Sequence, residues 1–431
     1  MKCFKILGAF FIFICANAYA QVQYTGINLA GADFGTNLPG EFGTDYIYPT
    51  DDEVDYFTSK GMNIFRLPFL WERLQNDQNG PLNQDELLRI KKFVDYATSK
   101  HAKIILDPHN GARYYGEIIG VDGDLGALPR AAFVNFWVKL AIQFKNNNNV
   151  IFGLMNEPHD MPTELWLDDA NAAISAIRDT GAQNLILVPG NAYTGAHSWN
   201  DSWYGTPNGE IMQNITDPGN NFVFEVHQYL DSDSSGTSPE CVNTSVGSRR
   251  LQEFTNWLRE HHARGFLGEF AGGRNTKCYN ALRDMLDFMD VNNDVWMGWT
   301  YWAAGPWWGE DIYTLEPKSD GSDRPQMAIL LEHISSEPDA DHDGISDVLD
   351  NCTLVANADQ RDSDEDGYGN LCDADLDNNG IVSFNDLDLF RTYFGTSNPD
   401  ADLNGDGSVS FKDLKIFRSL FGLPPGSKGD F

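Results

Sequence analysis

Basic side chains are scarce in this 431-residue chain. Lysine and arginine together number 30, against 63 aspartates and glutamates, which gives a formal net charge of −33. A surface this acidic repels phosphate backbones, so a nucleic-acid partner is not expected. Hydrophobic residues make up 42% of the chain and aromatic residues 13%, which is typical of a globular core rather than of a disordered chain.

Long apolar runs are also rare, and no membrane span is expected. The apolar run nearest the N-terminus, Ile6–Ala16, is shorter than the roughly 20 residues that a transmembrane helix needs. It follows two lysines and precedes Ala18-Tyr19-Ala20, a cleavage pattern of small residues. We therefore predict a signal peptide over residues 1–20 and secretion to the extracellular space. The alternative is an N-terminal membrane anchor.

Cysteines are few, and none of them forms a C-x-x-C pair, so a zinc site is not expected. Two of the six lie in the predicted signal peptide. The other four are expected to form disulfides in an oxidising compartment. Three pairings are possible, and the most economical one joins neighbours in the sequence. It pairs Cys241 with Cys278 and Cys352 with Cys372.

Short apolar runs alternate with longer amphipathic segments between Tyr24 and about Ile334. This alternation predicts parallel strands and helices of the α/β class, closed as a (β/α)₈ barrel over residues 21–335. An open doubly wound sheet is the alternative, and the lack of a G-x-G-x-x-G motif after the first run counts against it. The predicted strands are Tyr24–Leu29, Asn63–Phe69, Ala102–Leu106, Val150–Met155, Leu185–Val188, Phe222–Val226, Gly265–Gly268 and Trp296–Trp302.

Two helix starts carry a recognisable signal. Thr50 is followed three residues later by Glu53, and Asn83 by Glu86. This spacing predicts capping boxes, in which each side chain bonds the backbone of the other residue.

Two glutamates follow strands four and seven of the predicted barrel. The C-terminal strand ends carry the chemistry in such barrels, and Glu157 and Glu269 lie at two of them. A carboxyl pair of this kind is what glycoside hydrolysis needs: one group protonates the leaving oxygen and the other attacks the anomeric carbon. Arg66, at the end of strand two, is placed to keep one of them ionised.

Further polar and aromatic residues follow the other strands. His227 and Tyr229 are two residues apart, so they project from the same face of a strand. They are expected to hydrogen-bond the reacting groups and the sugar. Trp302, with Trp307 and Trp308 close behind, offers flat apolar faces on which sugar rings stack.

Asn156-Glu157-Pro158, directly after an apolar strand, resembles the acid/base signature of glycoside hydrolase family 5. The similarity is to the endoglucanase branch of that family and extends from Gln21 to about Ile334. The other stretches that carry it are Gly26–Gly35, Phe65–Pro68, His109–Arg113, Ile151–Asp160, Val226–Cys241 and Gly268–Gly273.

The resemblance implies retaining hydrolysis of internal β-1,4 linkages in cellulose and related β-glucans, with no cofactor for catalysis. It implies Glu157 as acid/base, Glu269 as nucleophile and Asn156 as a ligand of the sugar 2-hydroxyl. It also implies a disulfide between Cys241 and Cys278. Arg66, His109, His227, Tyr229 and Trp302 match the remaining shared active-site positions.

One position departs from the branch, and two functional alternatives stay open. Gly268 precedes Glu269 where the branch often has threonine. The substrate could be another β-glycan, namely mannan, mixed-linkage glucan or xyloglucan. A non-catalytic glycan-binding scaffold is the other alternative, and the presence of both glutamates argues against it.

The C-terminal segment holds a duplicated calcium-loop pattern. Residues 375–395 and 402–422 share 12 of 21 positions, including a glycine at loop position 6. Oxygen-bearing side chains alternate as they do in calcium loops. This loop–helix pair, residues 374–431, resembles a dockerin and implies a cohesin or cell-surface partner. The predicted Ca²⁺ ligands are Asp375, Asp377, Asn379, Asp386, Asp402, Asn404, Asp406 and Asp413.

The preceding segment, residues 336–373, resembles thrombospondin type 3 calcium repeats. From Glu337 to Phe431 there are 21 acidic and 6 basic residues, and bound calcium would neutralise such clustered carboxylates. A solvated acidic linker is the alternative. The further predicted ligands are Asp339, Asp341, Asp343, Asp362, Asp364 and Asp366.

Overall fold

The computed structural model describes residues 21–120, 128–334, 350–364 and 366–427, together with residues 341, 343, 345, 347 and 429. The predicted signal peptide, the boundary between residues 335 and 336, and the predicted ligand Asp339 lie outside the described residues.

Eight parallel strands close into a barrel in the order β1-β8-β7-β6-β5-β4-β3-β2. The prediction of a (β/α)₈ barrel is therefore confirmed, and every predicted strand is present with its ends within two residues. The strands are β1 Tyr24–Leu29, β2 Ile64–Phe69, β3 Lys103–Pro108, β4 Val150–Gly153, β5 Ile186–Pro189, β6 Phe222–His227, β7 Gly265–Glu269 and β8 Trp296–Ala304.

Within the described ranges, six long helices surround the barrel. Short helices stand in for a long one after β5 and β8, namely Asn208–Ile211 and Met327–Leu330, and a further short helix, Trp71–Leu74, precedes the long helix that follows β2. A two-stranded hairpin, Arg113–Tyr114 with Glu117–Ile118, follows β3. The long helices are α1 Asp51–Ser59, α2 Gln84–Ser99, α3 Arg130–Phe144, α4 Thr163–Asp179, α5 Val246–Glu260 and α6 Thr276–Val291.

The two predicted capping boxes have different outcomes. Thr50 and Glu53 form theirs at the start of α1. Asn83 caps α2 by accepting from the backbone N–H groups of Asp85 and Glu86, but the reciprocal bond predicted from Glu86 is wrong. The buried Glu86 carboxylate instead accepts from the Tyr46 hydroxyl at 2.7 Å. The hydrogen bond from Tyr46 thus replaces the predicted local bond from the Asn83 backbone.

The barrel interior is layered. Its lowest layer is apolar and comes from six strands: Ile64, Ile105, Ile151, Leu187, Val223 and Phe266. Side chains two residues further along a strand face the same way, so Arg66, Asp107 and Glu225 form the next layer, and all three are buried. The core thus supports a charged layer directly beneath the strand ends.

The C-terminal segment has a small core of its own. The helices α7 Phe384–Tyr393 and α8 Phe411–Leu420 pack through Phe390 and Phe417. Phe394 and Phe421 each follow the last helical residue and are partly exposed.

Both predicted disulfides are present. Cys241 and Cys278 have Cα atoms 5.3 Å apart, and Cys352 and Cys372 have theirs 5.7 Å apart. Across the described residues, no helix combines the length and the apolar character that a bilayer crossing requires.

Candidate active site

Arg66 is the centre of the predicted site. It is fully buried on β2 and makes charge-assisted contacts with five side chains. Its Nη1 donates to Glu269 Oε1 at 2.8 Å, and its Nη2 donates to Asn156 Oδ1 at 2.8 Å. Because a guanidinium is planar and permanently charged, it fixes these groups in one geometry.

Glu269, at the end of β7, is held by two donors, Arg66 on β2 and Tyr229 just after β6. Arg66 Nη1 donates to one carboxylate oxygen and the Tyr229 hydroxyl to the other, both at 2.8 Å. These bonds fix the orientation of both oxygens, and an immobilised carboxylate is suited to nucleophilic attack.

Glu157 stands opposite, just after β4, and contacts His227. His227 Nδ1 lies 2.8 Å from Glu157 Oε1. The backbone of Glu157 has φ +43°, a strained conformation for a residue with a side chain, and such strain clusters at active sites. Its side chain is 25% exposed, against 5% for Glu269, so it is the more accessible of the two carboxyl groups.

The pKa values of Glu157 and His227 depend on each other. Burial alone would raise the pKa of Glu157, but the hydrogen bond and charge of His227 outweigh burial and lower it. Burial would lower the pKa of His227, but the charge of Glu269 and the contacts with Glu157 and Glu225 raise it to about 10. The two groups therefore titrate as a coupled pair.

The two carboxyl groups are close together. One oxygen of Glu157 and one of Glu269 lie within 4.8 Å of each other, with a His227 ring nitrogen within the same distance of both. Retaining glycosidases hold their carboxyl groups about 5–5.5 Å apart, whereas inverting enzymes need roughly 6.5–9.5 Å to admit a water molecule.

The remaining predicted residues lie in the same region. His109 Nδ1 contacts Asp107 Oδ2 at 2.8 Å, and its ring stacks on Trp302 with centroids 5.5 Å apart. Burial would lower the pKa of His109, but the Asp107 carboxylate reverses this and raises it. Arg66 takes the Asn156 carbonyl oxygen, which leaves the amide NH₂ of Asn156 as the group able to donate to a sugar.

Sequence analysis missed three buried residues that complete the site. Asn28 accepts from Arg66 Nη1 at 2.9 Å and donates to backbone oxygens of β7 and β8. Asp107 lies 3.1 Å from Arg66 Nη2, and Glu225 lies 3.1 Å from Arg66 Nε. The two-residue strand period offered a signal, since Asp107 and Glu225 precede His109 and His227 by two positions.

The model of the family described as cellulase (glycosyl hydrolase family 5) matches residues 17–305. The chain belongs to this family. It is a glycoside hydrolase, and the match includes both glutamates and every predicted active-site residue. A second model, the thrombospondin type 3 repeat, matches residues 337–360.

Curated relatives and solved structures agree with the family assignment. A probable endo-beta-1,4-glucanase B from Aspergillus oryzae is 45% identical over 315 residues, which cover 72% of this chain and 90% of that protein. The crystal structure of an endo-beta-1,4-glucanase from Xanthomonas axonopodis pv. citri is 48% identical, with a TM-score of 0.70, and covers 72% of this chain and 98% of that one. A Pseudomonas stutzeri endoglucanase in complex with cellobiose is 33% identical, with a TM-score of 0.66 over 74% and 96% of the two chains.

Outside the barrel, carboxylates meet in three clusters whose oxygens lie within 4.8 Å of one another. An all-oxygen ligand set of this kind suits Ca²⁺. In the second duplicated loop, Lys412 Nζ lies 2.8 Å from Asp406 Oδ2. The clusters are Asp341, Asp343 and Asp350; Asp362, Asp364 and Asp366; and Asp375, Asp377 and Asp386.

Proposed function

We propose that the protein is a secreted, retaining endo-β-1,4-glucanase. The observation that carries the proposal is the approach of one oxygen of Glu157 to one of Glu269 within 4.8 Å, since closely spaced carboxyl groups suit direct attack on the anomeric carbon, as in retaining glycosidases. The names of the curated relatives and of the solved structures support β-1,4-glucan as the substrate.

Glu269 is assigned as the nucleophile because Arg66 and Tyr229 bind both of its oxygens. In the first step its carboxylate attacks the anomeric carbon, and the bond to the glycosidic oxygen breaks as that oxygen receives a proton from Glu157. In the second step Glu157 removes a proton from water, which attacks the same carbon and releases Glu269. These steps use side chains and water alone.

Glu157 and His227 act together as the general acid. While His227 carries a proton it lowers the pKa of Glu157, and the 2.8 Å contact lets one proton be shared between the two groups. That shared proton is the one that the leaving oxygen takes. Activity should therefore fall at high pH as the pair loses its proton.

Two groups of aromatic rings near the proposed catalytic residues support an elongated sugar substrate. Trp302 stacks on His109, and Trp308 lies edge-on to Trp302 with centroids 5.7 Å apart. The partly exposed Tyr193 stacks on His159, two residues after Glu157, with centroids 4.3 Å apart. Such faces suit the C–H surfaces of pyranose rings.

Two measurements test this proposal. Hydrolysis assays across carboxymethylcellulose, mannan, lichenan and xyloglucan should show the highest turnover on the first, with viscosity falling faster than reducing ends appear. Proton NMR of the first products of a cellooligosaccharide should show the β-anomer. An α-anomer would refute retention, and preference for mannan would refute the glucan assignment.

The C-terminal segment is proposed to bind calcium and to serve as an attachment module. The three acidic clusters support calcium, and Phe384 and Phe411, at equivalent positions of the duplicated helices, are 73% and 76% exposed. We propose that these paired faces contact a cohesin-like protein or a cell-surface component. Surface plasmon resonance against a panel of cohesin domains, with calcium and with a chelator, tests both parts.

A further inference from the structure

Glu225 lies one layer below the reacting groups and has no role in the two steps above. It is 1% exposed, on β6, two residues before His227. Within the described part of the chain, neither of its carboxylate oxygens accepts a well-aligned hydrogen bond. A buried carboxylate without such bonds is costly, so its contacts need an explanation.

Those contacts are with the two cations that hold the catalytic pair. Arg66 Nε lies 3.1 Å from Glu225 Oε1, and His227 Nε2 lies 3.7 Å from the same oxygen. The opposite ends of these cations reach Glu269 through Arg66 Nη1 and Glu157 through His227 Nδ1. Glu225 thus stands behind both cations, on the side away from the substrate.

Gly268, the residue before Glu269, makes room for this carboxylate. A Cβ atom built on Gly268 would lie 2.1 Å from Glu225 Oε1 and 2.9 Å from its carboxyl carbon. Any side chain at position 268 would therefore displace the Glu225 carboxylate. This explains in physical terms why glycine stands at position 268, where the related enzymes that the sequence resembles often have threonine.

We propose that Glu225 is a positioning residue for glycoside hydrolysis: its carboxylate keeps Arg66 and His227 aimed at the two catalytic carboxyl groups, and Gly268 provides the space that it occupies. The inference rests on the proposed roles of Glu157 and Glu269. It adds to them an anion on which the orientation of both cations depends.

Removing the negative charge of Glu225 should shift the pKa of the neighbouring Glu157–His227 pair in one direction. Removing a negative charge near a group that binds protons lowers the pKa of that group. The Glu157–His227 pair should then lose its shared proton at a lower pH. The charged groups that surround the His227 ring are Glu157, Glu225, Glu269, Arg66 and Asp107.

The first experiment uses the full-length protein with the substitution Glu225→Gln, which removes the charge and keeps the shape. On carboxymethylcellulose, kcat should fall by up to about 100-fold, as expected when reacting groups are misplaced by about 1 Å, while KM changes little. The alkaline limb of the kcat/KM profile should move to lower pH by about one unit. A folded variant with the wild-type kcat and the wild-type limb would overturn the proposal.

A second variant keeps the proposal testable if Glu225→Gln does not fold. Gly268→Ala should displace the Glu225 carboxylate and shift the alkaline limb in the same direction. Combined with Glu225→Ala, it should add little, because the group it displaces is already gone. Gly153→Ala is the matched control, since its Cβ would meet Ile105 and backbone atoms and no charge; it should leave the limb in place.

The outcomes separate this proposal from the assignment of the catalytic pair. If Glu269→Ala retains substantial turnover, the assigned roles are wrong, whatever Glu225→Gln does. If Glu157→Ala and Glu269→Ala are inactive and the pH limb stays unshifted in both Glu225→Gln and Gly268→Ala, only the positioning role fails. Fully additive effects of Gly268→Ala and Glu225→Ala would also contradict it.

Discussion

Glu157 and Glu269 are proposed to act on the same glycosidic bond, and their different surroundings suit them to different tasks. Glu269→Ala should remove the nucleophile and reduce turnover by several orders of magnitude on every substrate. Glu157→Ala should be equally damaging on cellulose, yet an aryl glycoside with a good leaving group needs little acid help. With that substrate the Glu157 variant should accumulate a glycosyl-enzyme, visible by intact-protein mass spectrometry.

A reversed pattern would contradict the assignment. If the Glu269 variant accumulates the covalent species and the Glu157 variant does not, the two roles are exchanged. Azide offers a matched control, because a small external nucleophile should rescue the Glu157 variant to a retained product and the Glu269 variant to an inverted one.

Glu316 gives a second residue-level prediction, on stability. Burial and the charge of Glu53 raise its pKa from 4.5 to about 7, although the Gly305 N–H donates to it at 3.1 Å. A carboxyl group with a raised pKa stabilises the fold below pH 4.5, and this stability is lost as the pH rises through 7. Glu316→Gln should therefore stabilise the protein at pH 8 by about 1 kcal/mol, since partial exposure screens the effect.

Thermal melts at pH 4 and pH 8 check this prediction. The variant and the parent should melt together at pH 4 and apart at pH 8, where the variant has the higher Tm. Asp323→Asn is a suitable comparison, because the hydrogen bond of Lys60 lowers the pKa of Asp323 and its pH dependence should have the opposite sign.

At the level of single residues, the sequence identifies the proposed reacting groups and their neighbours better than the residues that support them. His227 ends β6 and Tyr229 follows it, where a barrel carries its chemistry, and Arg66 is a charged residue within an otherwise apolar strand. Asn28, Asp107 and Glu225 lie within strands that are buried on both faces. Their importance follows from contacts across the barrel, such as Arg66 with Glu225, which are 159 positions apart in the chain and invisible to local patterns.

At the level of elements, apolar runs located all eight strands because parallel barrel strands are buried on both sides. The helix starts were less certain. Thr50 and Glu53 are bonded to each other as their spacing predicts, whereas Glu86 leaves its local partner for the Tyr46 hydroxyl. A capping pattern identifies only hydrogen-bond partners that are close in sequence. A buried donor from elsewhere in the fold, here the Tyr46 hydroxyl, can bind the carboxylate instead.

The disulfide between Cys241 and Cys278 ties the loop after β6 to α6. With a sequence separation of 37 between the bonded positions, the chain-entropy model gives a loss of about 4 kcal/mol when the disulfide is removed. The double variant Cys241→Ser and Cys278→Ser should lower the Tm of the barrel in differential scanning calorimetry. The matched control is Cys352→Ser with Cys372→Ser, which should leave that transition in place; an unchanged barrel Tm in the first variant would refute the prediction.

At the level of the whole molecule, the sequence separates two acidic segments that the structure joins. Residues 336–373 and 374–431 were predicted as distinct units. Arg361 and Asn370 from the first donate to the Pro399 carbonyl oxygen in the second, at 3.2 Å and 2.9 Å. Repeat patterns define each unit by its own spacing, and they contain no information on such contacts between units.

These contacts shape the expected response to calcium removal. The core around Phe390 and Phe417 is small, so metal binding has to supply much of the stability of the C-terminal segment. The barrel has its own extensive core. A chelator should therefore melt both acidic segments in one transition while hydrolysis of soluble substrate stays nearly unchanged, and a chain ending near Ser335 should remain active.

Calorimetry with and without chelator, together with an activity assay, tests whether the acidic segments depend on calcium and whether they melt together. Asp375→Ala removes a residue of the first loop cluster and should lower the calcium-dependent transition, whereas Asp388→Asn, an exposed partner of Arg391 on the same helix, should not. Because Asn378 of the first loop donates to Asp364 Oδ2 at 3.1 Å, weakening the first loop should lower the melting of the thrombospondin-like segment too. Two transitions that shift independently would show that the contacts at Pro399 do not couple the segments, and a chelator-insensitive melt would refute calcium as the ligand of the acidic clusters.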